Sequence, residues 1–121
     1  MIEALDHVQV AMPAGREDGA RWFYDGLLGL DELEKPPTLA PKGGAWFALP
    51  DGRQLHLSVE EPFHASKKAH PAFSVSALDE LAERLEVAGL PVRWDEELAP
   101  RRRFYGEDPF GNRLEFLDPR L

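Results

Sequence analysis

Residues 69–90, AHPAFSVSALDELAERLEVAGL, restate a pattern that the chain has already used once near its N-terminus. The segment begins with the alternation of a strand and passes into a helical stripe of Leu78, Leu81, Ala82 and Leu85 that stops at Gly89. Ser76, with Asp79 three positions on, predicts a weak capping box at the helix entry. The earlier version is LDHVQVAMP, residues 5–13, followed by EDGARWFYDGLLGL, residues 17–30. There Ala20, Phe23, Tyr24, Leu27 and Leu28 make one helical face, and Gly29 suits a left-handed stop.

Each strand–helix pair is followed by three extended pieces. In the first half these are LDELEK, AWFALP and RQLHLSVEE, with PDGR (50–53) as a hairpin signal. In the second they are VRWDEEL, RRFYGEDP and NRLEFL, with PFGN (109–112) as the last tight turn. Both halves read β-α-β-β-β. The expected fold is α+β, two tandem βαβββ modules within a single domain over 1–121: module one 1–60, linker 61–68, module two 69–121.

Composition narrows the function. With 121 residues, 43% of them hydrophobic, the chain can bury a core, and a net charge of −8 repels nucleic acid and anionic lipid. No apolar run approaches the roughly 18 residues of a membrane span, and Met1 leads directly into DHVQV, so the reading is cytoplasmic, with neither nucleic acid nor membrane as partner. Cysteine is absent, which excludes disulfides, thiolate nucleophiles, iron–sulfur clusters and Cys-based zinc sites. Any metal must be held by His, Asp or Glu.

Sorting each strand into two faces isolates a small polar set. His7 and Gln9 oppose Val8, Val10 and Met12, while His56 opposes Leu55, Leu57 and Val59. His70 opposes Pro71, Phe73 and Val75, and Glu115 opposes Leu114 and Phe116. Under the repeat, His7 corresponds to His70 and His56 to Glu115. Trp46 stands ten residues before His56, as Tyr105 does before Glu115. Related by a pseudo-twofold axis, His7, His56, His70 and Glu115 would converge on one cation. Three imidazoles and a carboxylate suit Zn, Ni, Fe(II), Co or Mn better than Mg or Ca. Taken singly, each of the four reads as an ordinary solvated or hydrogen-bonded strand residue; taken as one symmetric set, they read as metal ligands. His64, in the linker, reads as surface.

Arg103 and Tyr105 share a face of the penultimate strand. With Trp46 they could hold an anionic or aromatic substrate. The competing reading of the Arg101–Arg103 run is a solvated edge strand with deterrent charges. Asp79, Glu80, Glu83 and Glu86 need be no more than the outer face of a helix.

DHVQV, ARWFYDGLLGL, HPAFSV and EDPFGNRLEFL together resemble the vicinal oxygen chelate superfamily, the glyoxalase/bleomycin resistance/dioxygenase fold, over essentially the whole chain. The resemblance implies βαβββ modules paired into a cupped mixed sheet around a divalent metal, commonly in a homodimer. It carries the family's first-strand His onto His7, its second-module His onto His70 and its closing Glu onto Glu115. Where glyoxalase I has a fourth ligand, Glu or Gln, this chain has His56. Where the fosfomycin enzymes have a Thr, it has Gln9, a candidate substrate contact, and their active-site Tyr resembles Tyr105. The function implied is a metal-dependent enzyme chelating adjacent oxygens of a small substrate, of lyase or isomerase, dioxygenase or thiol-transferase type, with Glu115 or a displaced ligand as base. The alternative is a metal-free sequestering protein of the bleomycin-resistance kind.

Overall fold

The structure is a computed structural model and describes residues 1–120. Its elements follow the doubled order expected. Unit one, Met1–Ala65, contains β1 (His7–Met12), α1 (Glu17–Ala20), a π-helical turn (Arg21–Leu27), β2 (Asp31–Leu33), a 3-10 turn (Ala40–Lys42), β3 (Ala45–Ala48) and β4 (Gln54–Val59). Unit two, from Ser66 onward, contains β5 (Ala72–Ser74), α2 (Leu78–Val87), β6 (Val92–Asp95), β7 (Arg103–Glu107) and β8 (Arg113–Leu117).

Each unit builds one four-stranded mixed sheet, in the orders β1-β4-β3-β2 and β5-β8-β7-β6. The first and last strands pair in parallel and the remaining pairs are antiparallel. The hairpins explain the antiparallel pairs. At PDGR, Gly52 takes φ +91°, Leu49 N–H donates to Arg53 O at 2.8 Å, and Asp51 accepts from Arg53 N–H at 2.9 Å. At PFGN, Asp108 Oδ1 accepts from the backbone N–H of Phe110 and of Asn112, both at 2.9 Å.

In unit one the helical segment lies against the apolar sheet face. Phe23, Tyr24, Phe47, Leu55, Leu57 and Met12 are fully buried, with the Tyr24 and Phe47 rings 5.6 Å apart. In unit two α2 covers the face carrying Phe104, Gly106 and Phe116 through Leu85. Burial at this level stabilises each large side chain by about 1.5–3 kcal/mol. It also leaves the opposite sheet face to the polar residues.

Four local expectations need correction. The first helix is regular only to Ala20 and then widens, with Leu28 N–H donating to Phe23 O at 2.9 Å. The wider turn buries the consecutive rings of Phe23 and Tyr24 edge to face at 4.9 Å. The capping box does not form: Ala77 is the N-cap without a side-chain bond, and Asp79 is drawn away by a bidentate pair with Arg102. The strand expected over 69–76 is confined to Ala72–Ser74, since Pro71 has no N–H for the ladder. Finally, β7 is an inner strand, so Arg103 is no edge deterrent.

Candidate functional site

Backbone register puts the polar residues in rows. In unit one, His56 is opposite Gln9 on one side and Trp46 on the other, and Trp46 is opposite Leu33. In unit two, Glu115 is opposite Ala72 and Tyr105, and Tyr105 is opposite Arg93. Strand for strand, His56 and Glu115 hold the same place, as do Trp46 and Tyr105. His7 and His70 precede Gln9 and Ala72 by two residues.

The unit-one residues form a column of rings. His56 stacks on Trp46 with centroids 3.9 Å apart and planes 2° from parallel, and on its other side His7 lies at 4.2 Å and 21°. His56 is buried, at 6% exposure, and its Nε2–H donates to Gln54 Oε1 at 2.8 Å. Burial lowers its pKa from the ordinary histidine value, and the neighbouring His7 lowers it further, against an opposing pull from Asp6. His56 is therefore a neutral imidazole at pH 7. His7 is exposed, and its Nδ1–H donates to Asp6 Oδ1 at 2.8 Å, which leaves Nε2 as the lone-pair nitrogen. Gln9 is exposed on the same strand.

In unit two the carboxylate of Glu115 is buried at 7% exposure, so the charge between Leu114 and Phe116 does not face water. Its Oε1 lies 2.8 Å from His70 Nε2, and its Oε2 accepts from Arg103 Nη1 at 3.2 Å. Arg103 also donates through Nε to Asp95 Oδ1 at 2.9 Å. Burial works against the Arg103 charge, but the bonds to Asp95 and Glu115 outweigh it and raise its pKa above the ordinary arginine value. Asp95, although burial alone would raise it, is held below the usual carboxylate range by the Glu97 N–H and by Arg103. The other nitrogen of His70, Nδ1, donates to Lys68 O at 2.8 Å. The His70 ring thus has an oxygen within hydrogen-bond distance of both nitrogens.

Tyr105 closes the row. Its ring meets His70 edge-on at 5.7 Å and has three guanidinium carbons around it, those of Arg93 at 4.8 Å, Arg103 at 5.0 Å and Arg113 at 5.1 Å. The sequence had offered Arg103 and Tyr105. Arg93 was missed because the β6–β7 register cannot be read across the 96–102 loop, and Arg113 had no distinguishing signal. Gln54, Asp6 and Asp95 were missed because each acts through side-chain bonds that strand parity does not report.

The structure brings together His7, His56 and Trp46 in one unit and His70, Glu115, Arg103 and Tyr105 in the other. Among the described residues there is no group of three or more His, Asp or Glu that could hold a metal ion, and no helix is long and apolar enough to cross a membrane.

A glyoxalase family protein from Bacillus anthracis is 42% identical to the chain, with 99% of this chain and 98% of that one covered and a TM-score of 0.93. A glyoxalase/dioxygenase from Nostoc punctiforme is 25% identical over 98% and 92% of the two chains, with a TM-score of 0.78. The fosfomycin resistance protein FosX from Listeria monocytogenes shares the fold at 18% identity, covering 100% and 94%, with a TM-score of 0.75. No curated protein matches the sequence. The family described as the Glyoxalase/Bleomycin resistance protein/Dioxygenase superfamily matches residues 4–116. The chain, with its two βαβββ units, belongs to that superfamily.

Proposed function

We propose that the protein is a divalent-metal enzyme acting on a small oxygenated substrate, with His7, His70 and Glu115 as ligands and His56 as a fourth ligand or the wall behind His7. The observation that carries this reading is the state of the two imidazoles. Each has its Nδ1 tied to an oxygen acceptor, Asp6 for His7 and Lys68 O for His70. Such outer bonds fix the tautomer and direct Nε2 outward as a ligand. At His70 that Nε2 already meets a carboxylate at 2.8 Å, a contact a cation would satisfy. The donor set suits Zn, Ni, Fe(II), Co or Mn.

A divalent ion bound to these groups supplies a Lewis acid for two adjacent substrate oxygens. The chain's own residues do the rest. Arg103 holds Glu115 Oε2 and so fixes the carboxylate, while Oε1 would serve as metal ligand and, only when displaced from the ion, as the atom that accepts a substrate proton. Trp46 and Tyr105 flank the two ligand rows and orient the substrate, and Gln9 is an exposed amide beside His56. In this reading the two units act as one domain, in a homodimer.

A second reading is metal-free sequestration. The His7–His56–Trp46 column favours it, since a stacked column with an uncharged centre can be extended by a planar aromatic ligand without any ion. Metal analysis of tag-free protein purified without chelator separates the two. Stoichiometric metal lost in both His7→Ala and Glu115→Ala supports the enzyme. Metal-free protein that cannot be reconstituted with Zn, Ni, Fe(II), Co or Mn, yet binds an aromatic ligand with a change in Trp46 fluorescence, refutes it.

A further inference from the structure

The guanidinium groups around Tyr105 are not explained by holding Glu115. Only Arg103 does that, and it is fully occupied by Asp95 and Glu115, with Glu97 Oε2 at 4.0 Å. Arg93 and Arg113 have no carboxylate within ion-pair distance among the described residues. Their recorded contact is the face of the Tyr105 ring. Glu107, the register partner of Arg113, is instead taken by Lys67 at 2.9 Å.

Three cations about one ring repel one another, and only Arg103 is paired directly with carboxylates, Arg93 reaching Asp95 through its field alone. Cation–π contact returns about 0.5–1 kcal/mol at exposed sites and more where water is excluded. It uses the flat face of a guanidinium and leaves the N–H groups along its edge free to donate. Two forks thus stand beside Tyr105 without a directly paired carboxylate of their own, Arg93 sharing only the field of Asp95 with Arg103, in a chain whose net charge is −8. A positive spot so placed, against the charge of the whole molecule, is a receptor for an anion.

We propose that Arg93, Arg113 and Tyr105 form a subsite for the oxyanionic group, carboxylate or phosphate, of the substrate. The assignment rests on the reading of Glu115 as part of the reacting centre. Tyr105 is opposite Glu115 in the sheet, so an anion held there places the rest of the molecule toward the His70–Glu115 pair. The substrate class is then a small oxygenated acid or phosphate ester rather than a neutral carbonyl compound.

The test uses metal-free full-length protein at constant ionic strength, so that failure of the metal reading leaves it untouched. Inorganic phosphate and benzoate are titrated while the Tyr105 and arginine side-chain resonances are followed by NMR. Saturable shifts are expected at Tyr105, with affinity lowered about tenfold by Arg93→Gln or Arg113→Gln and binding lost in the double variant. Arg93→Lys and Arg113→Lys keep the charge and lose the fork, and are expected to fall between. Tighter phosphate assigns a phosphate-bearing substrate and tighter benzoate a carboxylic acid. The proposal is overturned if neither anion saturates, or if the double variant, folded by circular dichroism, binds within twofold of the parent. Arg53→Gln, on the PDGR hairpin, is the control for general charge loss.

Discussion

The rings of His56 and Trp46 lie 3.9 Å apart and within 2° of parallel, and the burial that comes with this packing disfavours the charged imidazole. Its pKa is lowered in the folded protein, first by burial, so the unfolded chain binds a proton there more readily. The contribution of His56 to stability is therefore complete above the ordinary histidine pKa of about 6.5 and is lost as pH falls from there toward the lowered folded value. In metal-free protein, urea midpoints are expected to drop between pH 7 and pH 5, and His56→Phe, which keeps a stacked ring that cannot titrate, to show a smaller drop. His56→Ala removes a ring packed on two others and is expected to cost about 2 kcal/mol at pH 7. An equal acid drop in parent and His56→Phe would contradict this account.

Arg103 stands between two carboxylates that need it. Asp95 is held below the usual range partly by this guanidinium, so its contribution to stability is present above pH 4 and is lost as pH falls through the lowered value. Arg103→Gln is expected to lower the thermal midpoint at pH 7 and to make the loss of stability below pH 4 shallower, because Asp95 then titrates closer to its unfolded value. Thermal scans at pH 7, 4 and 3 measure both effects. Parallel curves for parent and variant would show that Arg103 does not set the Asp95 charge.

How much of this was legible beforehand depends on how local each signal is. The doubled βαβββ order could be read because alternation, helical stripe and terminal glycine are properties of neighbouring residues. Gly89 ends α2 at φ +81° as expected, with Leu90 N–H donating to Leu85 O at 3.0 Å. Gly29 likewise ends the first helix, yet its closing bond runs from Leu30 N–H to Tyr24 O, one residue wider, and no pattern in the sequence announced the π turn. Ser76 and Asp79 had the right spacing for a capping box, but Arg102 lies far away in sequence and won the carboxylate. His7, His56, His70 and Glu115 could be sorted onto faces by parity. How each imidazole is oriented depends on Asp6, Gln54 and Lys68 O, and parity says nothing of those bonds.

Asp108 organises the turn that delivers β8, and with it Glu115. Its two oxygens accept from Phe110 N–H, Asn112 N–H and Asn112 Nδ2, each at 2.9 Å, and Asn112 Oδ1 in turn accepts from Ser66 N–H at 2.9 Å. Both side chains are buried. Asp108→Ala leaves several of these donors without an acceptor, at about 1–3 kcal/mol for a buried unpaired group, and is expected to destabilise the chain by about 3 kcal/mol. Asp108→Asn keeps the Oδ1 acceptor and is expected to recover more than half of that. Urea unfolding of the three proteins decides it, and equal losses in Ala and Asn variants would remove the turn's oxygen from the explanation.

Two glycines with similar backbone angles separate conformational cost from crowding. Gly52, at φ +91° in the PDGR hairpin, has open space where a Cβ would go, so Gly52→Ala incurs only the left-handed penalty, about 1–2 kcal/mol. Gly44, at φ +83° just before β3, would put its Cβ 2.1 Å from the carbonyl oxygen of Leu57, a contact no rotamer can relieve. Its N–H also donates to Glu17 Oε2 at 2.9 Å, tying the start of β3 to the first helix. Gly44→Ala must push β3 away from β4 at the Ala45–Leu57 pair, one residue from the pair that joins Trp46 to His56. It is expected to cost about 4 kcal/mol or more, against 1–2 for Gly52→Ala. It is also expected to shift Trp46 fluorescence as the stack on His56 is disturbed, while Gly52→Ala leaves that emission unchanged. Similar losses in the two variants, with Trp46 emission constant, would mean that the strand entry yields without moving the ring column.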